Sequence, residues 1–171
     1  MLRLAVRRIA AWCVDWLIII GYAAALVPLG LMLAAWSVRL SPAAWNAVSF
    51  ALLVAPVTGW LAFWEAAPRG ATPGKRLLRL RVRTATGSAP PLARALVRNA
   101  LKIALPWELG HTAAFTLASS PTSGPAEIAA MACGIAASLV VAGYAVALFV
   151  GRTPYDRIAG TWVVMDHAAA R

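Results

Sequence analysis

Asp15, Glu108 and His111 are side chains able to hold or pass a proton, and all three fall inside long apolar runs. An ionisable group at membrane depth is expensive, about 2.5–3.5 kcal/mol at a helix centre on insertion scales. With hydrocarbon starting near Ile9, Asp15 lies about 9 Å in at the helical rise per residue, so its cost is smaller than at the centre. It still requires a partner. Two readings follow: a buried counter-ion that fixes helix packing by pairing with an arginine such as Arg98 or Arg157, or a proton or cation site. Arg8 precedes Asp15 by nearly two helical turns and shares its face. Direct pairing would require reaching along the helix, so both residues are expected to address a third group. Glu108 and His111 are three apart, on one face of a helix that Pro106 can bend. Such a pair suits proton relay, because histidine titrates near neutrality, or it is a hydrogen-bonded pair holding helices together. Asp156 follows the last apolar run and is placed to cap the next turn or to meet a basic strand at 79–83.

The same inventory argues against catalysis. The two histidines and two cysteines show no metal-ligand spacing, and no nucleophile elbow or phosphate loop occurs. The expectation is a chain that is not an enzyme and that holds no metal or cofactor. Cys13 and Cys133 are expected in opposite leaflets, too far apart to bridge.

These residues must be carried by membrane helices. The chain has 171 residues, 61% of them hydrophobic and 13% charged, where soluble domains are about a quarter charged. Its net charge of +10 would suggest nucleic acid in a soluble protein. Here the basic residues flank apolar segments, which points to anionic lipid headgroups and away from nucleic acid. A cleaved signal peptide is disfavoured, because the first apolar run continues to Trp36. Four segments emerge at about 9–36, 44–64, 100–118 and 127–150, the third made marginal by Lys102, Pro106, Glu108 and His111. Four spans place every basic residue except Arg39 on the cytoplasmic side, with both termini inside; three would export one set. Trp12, Trp16, Trp60, Trp64 and Trp107 would mark the inner boundary and Trp36 and Trp45 the outer one. Pro28 and Pro56 permit kinks. Ala130, Gly134 and Ser138 make a small-residue stripe suited to close packing within the chain or to a homodimer.

The basic connection at 65–99 has its own order. Thr72-Pro73 reads as a helix start, and 79–83 alternates apolar and basic residues as a strand with one wet face. Arg94, Arg98 and Lys102 recur every four residues, as on an amphipathic helix at the membrane surface. The tail at 151–171 echoes this: Gly151-Arg152-Thr153-Pro154 matches Gly70-Ala71-Thr72-Pro73, and Val163 matches Val82 at the same offset. The echo reads as a duplication or as shared turn chemistry, and it predicts that 79–83 pairs with 161–165.

Taken together, Arg8-x-x-Ala11-x-x-x-Asp15, then Thr72-Pro73-Gly74-Lys75, then Asp156-Arg157-Ile158-Ala159-Gly160-Thr161 resemble, in order, the pattern of the RDD family of bacterial multi-pass membrane proteins. The resemblance makes Arg8, Asp15 and Asp156 the arginine and two aspartates of the family's name. It implies one domain over 1–171 and an inner-membrane location. It implies no common activity, although some members are linked to transport. The expected fold is an all-α membrane protein: a four-helix transmembrane bundle with a small cytoplasmic helix/strand element. Two functional classes remain. One is a small transporter or transport subunit with an intramembrane polar site at Asp15, Glu108 and His111. The other is a non-catalytic scaffold or accessory subunit bound to a membrane-protein partner.

Overall fold

A computed structural model describes residues 2–119 and 124–166. Part of the connection between the segments at 100–118 and 127–150, and the last part of the tail, therefore lie outside the described residues. The chain is mostly helical, with one small sheet. Helix α1 (Leu2–Ala35) is unbroken despite Pro28. Ser41 accepts a hydrogen bond from the Ala44 N–H and caps α2 (Pro42–Ser49), whose first residue is proline, as such starts favour. A π turn (Phe50–Val54) joins α2 to α3 (Ala55–Ala66). Further on, α5 (Leu92–Asn99) continues through a second π turn (Ala100–Ala104) into α6 (Leu105–Ser119), and α7 (Pro125–Val150) packs along α6.

Both π turns run up to a proline, Pro56 and Pro106. Proline donates no N–H and pushes on the carbonyl one turn back, and a widened turn absorbs that clash. The freed carbonyls find new donors. Tyr22 of α1 donates to the Leu52 carbonyl at 2.5 Å, and Tyr144 of α7 donates to that of Leu101 at 2.9 Å. The proline breaks thus become points where helices are pinned together.

Among the described residues, three helical stretches are long and apolar enough to cross a membrane: Leu2–Leu33, Pro42–Ala66 and Pro125–Val150. The run at 92–119 does not reach that standard, the polar load noted above being the reason. Two of the three residues of the small-residue stripe on α7 meet the rest of the chain: Ala130 is buried, and a Cβ on Gly134 would lie 3.6 Å from that of Ala113 on α6, whereas Ser138 is exposed.

At one end of these helices sit two matching modules. In the first, Gly70 (φ +61°) and Thr72 lead into α4 (Pro73–Leu77), then Arg79 (φ +55°) turns into β1 (Leu80–Thr84). In the second, Thr153 leads into α8 (Pro154–Ile158), then Gly160 (φ +64°) turns into β2 (Thr161–Met165). The strands pair antiparallel with Val82 opposite Val163, so the residues that matched in the sequence echo meet at the centre of the sheet. Leu80, Val82 and Val163 pack on Ala11 of α1, which seats the sheet against the first helix. Strand β1 begins one residue later than the alternation suggests, because Arg79 occupies the left-handed turn.

Candidate functional site

The modules and helix ends hold a chain of charges that alternate in sign: Lys75, Glu65, Arg98, Asp156, Arg8. Glu65, in the last turn of α3, is fully buried. Its carboxylate accepts from Lys75 Nζ at 2.7 Å, from Arg98 Nη1 at 2.6 and 2.7 Å, and from Asn99 Nδ2 at 2.7 Å. Arg98 Nε donates to Asp156 Oδ1 at 2.7 Å. Asp156 Oδ2 accepts from Arg8 Nη2 and from the Thr153 hydroxyl, each at 2.7 Å, while the Thr161 hydroxyl donates to Oδ1 at 3.1 Å. Arg98 also lies over the Tyr155 ring. Burial alone would raise the Asp156 carboxyl, but the guanidinium groups of Arg98 and Arg8 overcome it and hold the group below the usual carboxylate range. Burial by itself would lower Arg98, and its two carboxylates drive it above the ordinary arginine value. Charges this buried are stable only because each has opposite charge and hydrogen bonds on several sides.

Asp15 solves its desolvation differently. It is 2% exposed, yet among the described residues no cation reaches it within bonding distance. Its carboxylate accepts from the Thr72 hydroxyl at 2.6 Å and from the Gly74 N–H at 2.8 Å, at the start of α4, where helical N–H groups lack partners. Residue 74 has to be glycine: a Cβ there would run into the Ala11 carbonyl oxygen and lie 2.9 Å from Asp15 Oδ1. The expected pairing of Asp15 with Arg98 or Arg157 is therefore replaced by backbone and hydroxyl donors. Arg157 is exposed. Arg8 and Asp15 do not share a third group either; they reach the two different modules. Asp156 does not meet the strand at 79–83, because its own helix and Arg98 and Arg8 claim both oxygens.

Glu108 and His111 lie apart from this layer, on the seam between α2 and α6. Glu108 Oε2 accepts from Asn46 Nδ2 at 3.0 Å. His111 Nδ1 lies 3.2 Å from the Trp107 indole nitrogen and 3.0 Å from the Ser49 hydroxyl. An indole can only donate, so Nδ1 is an acceptor and the ring proton sits on Nε2. Among the described residues no hydrogen bond joins Glu108 to His111, and neither is bonded to Asp15. The expected three-residue polar site is thus two separate sites.

Between the charged layer and the apolar helices lies a cavity of about 450 Å³. Arg8, Asp15, Lys75, Arg98 and Lys102 edge it on the polar side. Trp16, Trp107, Val141, Leu148 and Phe149 are among its apolar walls. Trp16 stacks on Trp107 with ring centres 5.8 Å apart.

Glu65, Arg98 and Asn99 form the heart of the charged layer, and sequence reasoning missed that role. Arg98 reads from its spacing as surface charge, yet it is 1% exposed. The available signal was Glu65 itself. The chain has six acidic residues against sixteen basic ones, so an acid at the end of an apolar run has cations competing for it.

Apolar helices of spanning length, closed at one end by a charged layer and a two-stranded sheet, define a helical membrane protein with a folded polar face. The chain belongs to the RDD family, whose model matches residues 2–167. No curated protein and no solved structure matches it.

Proposed function

We propose that this is a four-span protein of the bacterial inner membrane, with both termini cytoplasmic, that acts as a small transporter or a transport subunit. Residues 100–118 supply the third of the four spans, its polar side chains facing helix partners: Glu108 to Asn46, and His111 to Ser49. The orientation follows from charge. Arg8, Lys75, Arg98 and Arg152 bond within the charged layer, whereas Arg39 stands beyond the far end of α1, and positive residues favour the cytoplasmic side. The outer arginines of that face then meet anionic headgroups. The reading includes no catalytic step, no cofactor and no nucleic acid.

The observation that carries the transport reading is the cavity of about 450 Å³ beneath the charged layer, a volume in the range of small-molecule sites. The test is solute flux in proteoliposomes with wild type, Asp15→Asn and Glu108→Gln. Flux by wild type that falls in a well-folded Asp15→Asn variant supports transport. Absence of flux for cations and organic anions, with co-purification of a membrane partner, overturns it. One observation favours the second reading, a scaffold or accessory subunit: Arg8, Asp15 and Asp156 are all satisfied inside the chain, as structural latches would be. A homodimer would give either reading a larger enclosed path.

A further inference from the structure

We infer that the cavity binds the anionic head of an amphiphile at Lys102, with the hydrocarbon chain lying along α7. This deepens the transport reading by naming the class of molecule, and it rests on the same cavity. Charge is the first argument. The polar edge and its partners comprise four basic groups, Arg8, Lys75, Arg98 and Lys102, and three acids, Glu65, Asp156 and Asp15, an excess of one positive charge whenever Lys102 is protonated. Glu65 and Asp156 are spent on Lys75, Arg98 and Arg8, and Asp15 on Thr72 and Gly74. Lys102 lines the cavity, and among the described residues it has no hydrogen bond or ion pair. An amine placed with Lys75 and Arg98 at the edge of this cavity, with no bonded counter-ion, is costly to charge, and an incoming anion would stabilise its ammonium form.

Shape and polarity give the second argument. Away from Lys102 the walls become hydrocarbon and aromatic, with Trp107, Val141, Ala145, Leu148 and Phe149. Val141, Ala145 and Phe149 are exposed on α7, so the apolar side of the cavity is continuous with the surface that faces lipid. Trp16 and Trp107, stacked on each other, both line the cavity, and indoles suit a boundary between polar and apolar ground. A soluble anion would use the head site and leave these walls bare. A neutral lipid would leave Lys102 uncompensated. An anion on an acyl chain satisfies both, whether its head is a phosphodiester or a carboxylate.

The experiment is native mass spectrometry of the full chain in detergent, titrated separately with dioleoylphosphatidylglycerol, oleate, dioleoylphosphatidylcholine and inorganic phosphate. The expected result is one retained anionic lipid, phosphatidylglycerol or oleate, bound at least about tenfold more tightly than phosphatidylcholine, with no retained phosphate. Lys102→Gln should lose at least about fivefold in that affinity and Lys102→Arg should keep it, while Arg69→Gln, at an exposed surface position, should not change it. Ala145→Trp, which fills the apolar wall without touching the charged layer, should also weaken it. Equal retention of phosphatidylcholine, unchanged binding in Lys102→Gln or Ala145→Trp, or full competition by phosphate would each overturn the inference. Anionic lipid bound without flux of any solute leaves this inference standing and removes transport; flux without such binding does the reverse.

Discussion

The two Thr-Pro modules share a backbone and differ in how they are neutralised. In the first, α4 presents bare N–H groups, and a carboxylate comes from outside, Asp15 of α1, to meet Thr72 and Gly74. In the second, the carboxylate is built in as Asp156, and the visitors are cations, Arg8 from α1 and Arg98 from α5. Position 74 must be glycine because the α1 backbone presses on it. The matching position holds Tyr155, which packs on Tyr144 and Arg98. One turn geometry therefore serves opposite electrostatic purposes, and α1 is the element that reads both. A helix start is a general platform, and the two residues after the proline, Gly74-Lys75 or Tyr155-Asp156, decide whether it accepts a neighbour's acid or offers its own.

The sharpest way to break the comparison is to remove each acid in turn. Asp156→Ala removes the only carboxylate bonded to Arg8 among the described residues and one of the two bonded to Arg98, so a loss of about 3–5 kcal/mol is expected, read as thermal unfolding in detergent. Asp15→Ala leaves only uncharged donors unmet and should cost about 1–3 kcal/mol. Equal losses would show that the two modules are neutralised alike. The same contrast appears in acid. Because Asp156 is held below its ordinary range, its stabilising contribution is in force above the unfolded carboxyl's pKa and fades as pH falls through the lower folded value. Wild type should therefore lose stability at a pH below the usual carboxylate range, and Asp156→Asn should lack that step.

Gly74→Ala sharpens the packing side of the contrast. The added methyl meets backbone as well as the Asp15 carboxylate, and a loss of about 1–3 kcal/mol is expected. A stability unchanged within error would mean that α1 and α4 can separate freely. The smallest effect should come from Glu108→Gln, which keeps an oxygen for Asn46 and costs less than about 1 kcal/mol. A larger loss would place an ionic demand on the α2–α6 seam that its hydrogen bonds do not reveal.

Much of the architecture was legible before the fold. Apolar length located three stretches of spanning character, the Thr72-Pro73 and Thr153-Pro154 starts located the short helices, and the offset shared by Val82 and Val163 anticipated the sheet register. These are local signals, written within a few residues. The site was less legible, because its logic is a choice among many cations for few acids. Periodicity placed Arg98 on a wet face with Arg94, and nothing local said that Glu65 and Asp156 would converge on it from elements 33 and 58 residues away. Asp15 was read correctly as needing help, but the helper was a backbone N–H made available by a turn, which no count of charges can reveal. Pro56 and Pro106 suggested kinks; that tyrosines from other helices would occupy the freed carbonyls was likewise invisible.

The bond between Arg8 and Asp156 joins residues 148 positions apart. On the ribosome, the first helix is made and handed to the bilayer long before its counterpart exists. Until translation reaches residue 156, that arginine lacks its carboxylate, so the helix that carries it is lodged but not locked. Synthesis of Asp156 is thus the event that supplies the lock, and a chain cut short before it leaves Arg8 without that carboxylate.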